Sequence, residues 1–326
     1  MKARHTKEKS KKCNSHTYNM LRSICNLVIL IILLVTIEAQ QDRQQNEEKK
    51  QKRYAVVNFV DESNEYLWGL YSTHVQLQKF NMTPGIQHIA MISQDISKES
   101  RKLVAEWLGE DGIREFDRTH ILSKVPKRNL RQGVFLKLEA FNMTEFDKII
   151  VLDNDILVRT NLEHWFNYPA PAATGARGII EWNSGAMVIE PRTSLYDALL
   201  EYLPRTRRWI GIQKKDQDDT WNSNGGQQGF LSAFFLSNVT NDEMFTMSYG
   251  HSVLSSDLED RPHNYYFWIY RPHVFETIHF TRHKPWKPTI YTKHPATCAL
   301  LQEWKESVRD APIDKLPKLP DVMKNC

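Results

Sequence analysis

The order of apolar and polar residues divides the chain into an N-terminal leader and a longer body. Residues 27–37 are apolar except for one Thr, whereas residues 40–53 contain only polar and charged side chains. From Tyr54 onward, short apolar runs alternate with segments in which apolar residues recur every three or four positions. This pattern predicts an ordered α/β body that begins at Tyr54 after a short polar stem.

The body predicts strands and helices in alternation, and its first half is the more regular. The expected strands cover residues 54–60, 86–92, 113–116, 148–152, 186–189 and 274–279. The expected helices cover residues 65–78, 98–108, 132–141, 193–202 and 227–236. Elements in this order favour a mostly parallel sheet with helices on both faces. Ligands of such sheets bind at the carboxyl ends of the strands.

The leader has the charge pattern of a membrane anchor. Six Lys and Arg residues precede residue 13 with a single Glu among them, and the apolar run follows. Basic residues on one side of an apolar segment keep that side in the cytosol. We therefore expect residues 1–20 to be cytosolic, residues 21–39 to be a single-pass type II signal-anchor, and the body to be lumenal in the Golgi or endoplasmic reticulum. A cleaved signal peptide is the alternative, and it leaves the body in the same secretory compartment or outside the cell.

Composition and charge limit the function of the body. The chain has 326 residues, of which 41% are hydrophobic and 25% charged, and this balance excludes a disordered or collagen-like protein. The formal charge of +4 is concentrated in residues 1–53, which carry +7 and leave the body net negative. Because the body lacks an excess of basic residues, we expect no nucleic-acid partner.

We expect residues 40–53 to be the stem, residues 54–300 to form one domain, and residues 301–326 to form a loosely packed tail. The segment after Trp304 is charged and contains three Pro residues. The body has two cysteines, Cys298 and Cys326, which is enough for one disulfide at most. Its three Asn-x-Thr sequons are candidate glycan sites in a lumenal compartment.

The most informative stretch is the apolar strand at residues 149–152, which is followed by Asp153, Asn154 and Asp155. Alternation along a strand places Asp153 and Asp155 on the same side. Two carboxylates held together are costly unless a cation neutralises them, and oxygen ligands suit Mg²⁺ or Mn²⁺. Taken alone, an Asp-x-Asp pair is more often a strand end whose carboxylates cap loop amides.

Three further segments change this balance. Asn-Ser-Gly at residues 183–185 precedes an apolar strand, and Gly-Gly-Gln-Gln-Gly at residues 225–229 opens an apolar helix. His279 and Lys284 lie five positions apart in the sequence His-Phe-Thr-Arg-His-Lys-Pro-Trp. Together with Asp-x-Asp, and in this order, the segments resemble the glycogenin-like branch of the family-8 glycosyltransferases over about residues 54–287.

The resemblance implies a Rossmann-like GT-A fold and transfer of a sugar from a UDP-sugar donor with retention of anomeric configuration. It implies Mn²⁺ or Mg²⁺ as cofactor, with Asp153, Asp155 and His279 as its ligands. In this compartment we expect the acceptor to be a glycan or a glycoprotein. Such chemistry is consistent with the residues, because a divalent ion and Lys284 would stabilise the negative charge that develops on the departing UDP.

The resemblance also implies donor-binding and catalytic residues by position. The implied donor-binding residues are Tyr66 at the uracil, Lys284 at the diphosphate, and Lys137, Asn183 and Ser184 near the donor. The implied catalytic residues are Asp155, Gln227 and Gln228. We expect Trp286 to pack in the core, and we expect Arg282, His283 and the remaining histidines to lie at the surface.

Two positions depart from the pattern of the family. Gln227 occupies a position where the family usually has an acidic residue beside the sugar, and Arg282 occupies one where Gly often lets the backbone approach the diphosphate. Without that carboxylate, a catalytically silent module that binds nucleotide sugar or glycan is an open alternative. A phosphatase of the haloacid-dehalogenase type is a less favoured one, since about a hundred residues of body precede the motif and Leu157 replaces the usual Thr or Val.

Overall fold

The computed structural model describes residues 52–61, 64–125, 132–175, 182–206, 226–237, 240–260, 268–269, 271–281, 284–287 and 294–319, together with eight residues between 26 and 37. The chain divides into two units, Met1–Lys52 and Arg53–Cys326. The eight leader residues are helical. In the described part of the chain, no helix combines the length and the apolar character needed to cross a membrane. More than half of the segment 21–39 lies outside the described residues, so the anchor stays a prediction.

The described residues of the body contain ten strands in two sheets. In chain order they are β1 (Tyr54–Val60), β2 (Ile86–Ser93), β3 (Ile113–Phe116), β4 (Lys148–Leu152), β5 (Ile156–Val158), β6 (Ala172–Gly175), β7 (Trp182–Ile189), β8 (Phe245–Met247), β9 (Val253–Leu254) and β10 (Thr277–His279). Seven of them form the central sheet in the order β3-β2-β1-β4-β7-β6-β8, and the other three form a second sheet in the order β5-β10-β9.

The strand directions follow the prediction in the first half of the body and depart from it in the second. Strands β1 to β4 are parallel to one another. Strand β7 is antiparallel to β4 and to β6, and in the second sheet β10 is antiparallel to β5. The sheet is therefore mixed, and its parallel half is the part in which strands and helices alternate most regularly.

The described residues of the body also contain seven α-helices and seven 3₁₀ helices. The α-helices of the described residues are α1 (Leu67–Lys79), α2 (Lys98–Leu108), α3 (Arg118–Leu122), α4 (Thr193–Tyr202), α5 (Gln227–Leu236), α6 (Ser255–Asp260) and α7 (Pro295–Ser307). The 3₁₀ helices are Asn64–Tyr66, Glu110–Gly112, Gln132–Asn142, Glu163–Asn167, Leu203–Thr206, Tyr249–His251 and Pro272–Val274. The segment predicted as a helix at 132–141 is thus a 3₁₀ helix rather than an α-helix.

Local sequence signals account for the ends of several helices. The hydroxyl of Ser97 accepts a hydrogen bond of 3.1 Å from the backbone N–H of Ser100 and thereby caps α2. Gly109 follows the same helix at φ 74°, a backbone conformation that favours glycine. Asp117 caps α3 through the N–H of Thr119 in the same way. Pro295 begins α7, where its missing N–H costs nothing.

The expectation of a loosely packed tail after residue 300 is wrong over its described part. Helix α7 runs across that boundary, and Trp304, Val308 and Leu316 belong to the same buried cluster as Trp68 of α1. The indole N–H of Trp68 donates a hydrogen bond of 2.8 Å to the carbonyl of Pro317. The prediction gave weight to the charged residues of this segment and overlooked the apolar face of α7, which packs against the domain.

The expectation that the remaining histidines lie at the surface is wrong for at least two of them. His88, on β2, is half-buried, and its Nε2 lies 2.9 Å from Oδ1 of Asn58. Burial, with a smaller contribution from His74, lowers the pKa of His88 to about 3. His251 has a side chain that is only 12% exposed. These residues lie on or beside strands, where the tertiary fold covers them.

Candidate active site

The loop between β4 and β5 carries the Asp-x-Asp pair. Strand β4 is buried over its last four residues, and it delivers Asp153 at its carboxyl end. The N–H of Asp153 donates to the carbonyl of Gly185 on β7 (2.7 Å), and the carbonyl of Asp155 accepts from the N–H of Phe280 after β10 (2.8 Å). The loop is therefore held by both sheets at once.

His279 lies beside both carboxylates at the end of β10. Its Nε2 is 3.3 Å from Oδ1 of Asp155 and 3.8 Å from Oδ2 of Asp153. One ligand atom from each of the three residues lies within 4.8 Å of the others. Two carboxylates and one imidazole form a donor set that suits Mn²⁺ or Mg²⁺. The three predicted ligands therefore lie within reach of one divalent cation.

Two lysines balance the charge of the pair. Nζ of Lys137 is 2.5 Å from Oδ1 of Asp153, and Nζ of Lys284 contacts Oδ2 of Asp155. Burial alone would raise the pKa of Asp155, but His279 and Lys284 hold that pKa well below its usual range. Burial alone would lower the pKa of Lys284, and Asp155 raises it above its usual value instead. Both Asp155 and Lys284 are therefore charged at neutral pH.

Residues of β7 determine where the imidazole lies. Oδ1 of Asn183 accepts a hydrogen bond of 2.9 Å from the N–H of Gly185, and Nδ2 of Asn183 lies 3.2 Å from Nδ1 of His279. A Cβ atom on Gly185 would lie only 2.3 Å from Cε1 of His279. Ser184 lies between these residues and is 8% exposed. The Asn-Ser-Gly segment therefore packs directly against the third candidate ligand.

A cleft of about 540 Å³ opens beside this cluster, a size typical of ligand pockets. The predicted site residues that line it are Tyr66, Lys137, Asp153, Asp155, His279 and Lys284. The ring of Tyr66 packs edge-on against Trp286, with the ring centroids 5.5 Å apart. Trp286 is 3% exposed, so its expected packing role is confirmed. The cleft thus places an aromatic ring and two ammonium groups around the acidic pair.

Gln227 and Gln228 lie at the start of α5, and neither is among the described residues that line the cleft. Gln227 is 1% exposed, and in the described part of the chain neither of its amide atoms has a hydrogen-bond partner. Such burial of an unpaired amide is costly. Residues 207–225, just before this helix, and Arg282 lie outside the described residues.

Sequence analysis missed two residues that shape the cleft. Asp61, directly after β1, lines it and lies 3.4 Å from a guanidinium nitrogen of Arg118, while burial raises its pKa. Gly69 in α1 allows a close approach, because a Cβ there would lie 1.9 Å from the backbone oxygen of Asn154. Asp61 could have been predicted from the sequence, because it directly follows a parallel strand and ligands bind at the carboxyl ends of such strands.

Sequence comparison identifies relatives in plants and in human. The chain is 26% identical over 186 residues to UDP-glucuronate:xylan alpha-glucuronosyltransferase 1 of Arabidopsis thaliana. This alignment covers 56% of this chain and 25% of that protein. The chain is also 26% identical over 227 residues to glycogenin-1 of Homo sapiens, in an alignment that covers 66% of this chain and 57% of that protein. The chain spans between 24% and 37% of the length of the plant xylan glucuronosyltransferases that it matches. No protein-family model matches the chain.

Solved glycosyltransferase structures share the fold. The galactosyltransferase LgtC, solved with donor and acceptor sugar analogs, has a TM-score of 0.54 at 15% identity, and the alignment covers 82% of this chain and 98% of that one. The bifunctional glycosyltransferase WbbM has a TM-score of 0.57 at 12% identity, with 82% and 51% covered. At such identities the likeness shows the fold alone, and it confirms the expected α/β architecture of GT-A type. The chain thus resembles plant glucuronosyltransferases and glycogenin-1 in sequence and solved glycosyltransferases in fold, which confirms the resemblance indicated by the four motifs.

Proposed function

We propose that this chain transfers a sugar from a UDP-sugar to a glycan or glycoprotein, with retention of anomeric configuration and with Mn²⁺ or Mg²⁺ as cofactor. The observation that carries the proposal is the convergence of Asp153, Asp155 and His279 at one end of a cleft that Tyr66 and Lys284 also line. The names of the plant relatives support UDP-glucuronate as one donor to be tested.

The proposed roles follow from the chemistry of each side chain. A divalent ion bound by the two carboxylates and the imidazole would supply positive charge for the departing diphosphate. Lys137 and Lys284 contact Asp153 and Asp155, so their ammonium groups would lie close to a diphosphate bound at the ion. The ring of Tyr66 offers a stacking surface for the uracil. Asn183 and Ser184 are not among the described residues that line the cleft, and Asn183 bonds His279 instead, so we propose that Asn183 acts by positioning this ligand.

The alternative of a catalytically silent binding module is supported by Gln227, whose amide replaces the usual acid and does not line the described cleft. Such a module would bind UDP with the metal but release none from the donor. Replacement of Gln227 by Asp would then create or increase turnover. In the enzyme that we propose, the wild-type chain already releases UDP, and we expect Gln228 and Asp155 to act near the donor sugar.

The test is UDP release from a panel of UDP-sugars, with and without Mn²⁺. We expect metal-dependent release by the wild type and at least a hundredfold loss in Asp155→Asn, because the variant removes one ligand and leaves Lys284 without its anion. Asp314→Asn, the same chemical change at an exposed residue, is the control. Release that persists in Asp155→Asn, or that does not need the metal, contradicts the proposal.

We also propose that the body is lumenal and anchored by residues 21–39, with residues 1–20 in the cytosol. Support comes from the basic residues before the apolar run and from Cys298, which is disulfide-bonded, as expected in an oxidising compartment. In intact microsomes the body should resist added protease, and the exposed sequon at Asn142 should carry a glycan that glycosidase removes. Digestion of the body without detergent would contradict this topology.

A further inference from the structure

A second group of metal-ligating side chains lies at the opposite end of β10 from His279. Glu276 directly precedes β10, His251 ends the 3₁₀ helix Tyr249–His251, and His164 lies in the 3₁₀ helix Glu163–Asn167. One ligand atom of each residue lies within 4.8 Å of the others. The three residues come from segments far apart in the chain, so their convergence is a product of the fold.

The two imidazoles face the same carboxylate. Nε2 of His164 is 3.1 Å from each oxygen of Glu276, and Nδ1 of His251 is 2.7 Å from Oε2 of Glu276. In a tetrahedral zinc site with bonds of about 2.0–2.1 Å, neighbouring ligand atoms lie about 3.3 Å apart. The separation of His164 from Glu276 is therefore close to that of a zinc site, whereas that of His251 from Glu276 is a hydrogen-bond distance that an ion would have to widen by about 0.6 Å.

Neighbouring side chains hold the three residues in orientation. The indole N–H of Trp165 donates a hydrogen bond of 2.7 Å to Oε2 of Glu276. The hydroxyl of Tyr168 lies 2.6 Å from Nε2 of His251. Because a tyrosine hydroxyl can donate or accept, it can pair with His251 whether Nδ1 carries a proton or a metal ion. Partners of this kind commonly orient the ligands of metal sites.

The cluster is also accessible from one side. The side chain of His164 is 45% exposed, whereas those of His251 and Glu276 are 12% and 20% exposed. An ion held by the three could enter past His164 and keep one position open for water. Three protein ligands and one water are a coordination typical of zinc.

We propose that His164, His251 and Glu276 bind one zinc ion, separate from the cation site formed by Asp153, Asp155 and His279. Two imidazoles and one carboxylate suit zinc, whereas two carboxylates and one imidazole suit manganese or magnesium. The zinc ion would join the 3₁₀ helix Glu163–Asn167 to the start of β10. This inference does not depend on the proposed transferase activity.

The experiment measures zinc binding by the full chain after removal of metals by a chelator. The background is Asp153→Asn/Asp155→Asn, so that the first site does not contribute. We expect about one equivalent of zinc to be retained, and at least a tenfold loss of affinity when His164→Gln or His251→Gln is added. His273→Gln, at an exposed histidine, is the matched control and should retain the zinc.

Two further measurements distinguish a built site from loss of folding or surface binding. Because His164 is largely exposed, its variant should fold, and zinc should raise the Tm of the background by several degrees but not that of His164→Gln. Cobalt should give the strong visible absorption of a tetrahedral complex only where His164 and His251 are intact. Equal zinc binding in the background and in His164→Gln, or no zinc binding by the background, would overturn the proposal.

Discussion

Gly185 shows how a missing side chain determines the geometry of the candidate active site. The residue lies on β7, where its carbonyl accepts from Asp153 and its N–H donates to Asn183. The imidazole of His279 occupies the space in which a side chain at residue 185 would lie. The third candidate ligand can therefore reach the carboxylates only because this residue is glycine.

At this scale we expect Gly185→Ala to displace His279 and to lower Mn²⁺ affinity and UDP release at least tenfold. The physical reason is that the new Cβ would lie only 2.3 Å from Cε1 of His279, so the imidazole ring would have to move away. Gly175→Ala is the control, because a Cβ there meets no atom of the described residues within 4 Å. Isothermal titration with Mn²⁺ provides the measurement, and equal affinity in both variants would show that the imidazole is not a ligand.

Helix α7 is the element whose packing was hardest to predict from the sequence. It lies in a segment with many charges and several prolines, yet Leu300, Leu301 and Trp304 are buried against the domain. The apolar residues recur at helical spacing on one face, and the charged residues lie on the other. The domain therefore extends through this helix and beyond residue 300.

We expect Trp304→Ala to lower the free energy of unfolding by about 3–5 kcal/mol, the range typical of a buried aromatic side chain replaced by alanine. Trp304 is 1% exposed and packs near Trp286, which contacts Tyr66 of the cleft. Lys305→Ala, at an exposed position of the same helix, should change stability by less than about 0.5 kcal/mol. Urea unfolding of the two variants measures the difference, and similar midpoints would support a loose tail instead.

The stability of the whole molecule should depend on pH through His88. The pKa of this residue is about 3 in the folded chain, against 6.5 for an unperturbed histidine. Between these values the unfolded chain binds a proton that the folded chain does not bind. The free energy of unfolding therefore falls as the pH falls below about 6.5, by up to about 1.4 kcal/mol per pH unit.

We expect the wild type to lose about 2 kcal/mol more stability between pH 7.5 and pH 5 than the variant His88→Gln. The glutamine amide can still donate to Asn58, so the variant removes the titration and keeps the hydrogen bond. His273→Gln, at an exposed histidine, should behave as the wild type does. Urea unfolding at the two pH values measures the effect, and parallel losses in the wild type and His88→Gln would contradict it.

Much of the architecture could be predicted from local pattern. Strands β1 to β4 and helices α2, α4 and α5 lie where the apolar periodicity indicated, because a strand or helix face is encoded by residues close in the chain. The Asp-x-Asp pair was visible for the same reason, since its position depends only on where β4 ends. Shorter elements such as β5, β8 and β9 have too few residues to show any period.

The sequence by itself thus determined the order of the longer elements, the position of the acidic pair and the family resemblance. Only the tertiary structure decided that β7 runs antiparallel, that Gly185 makes room for His279, and that Gln227 does not line the described cleft. It alone brought His164 to Glu276, 112 positions further along the chain. The physical reason is that such contacts join residues from distant segments, and their geometry depends on packing that no local pattern records.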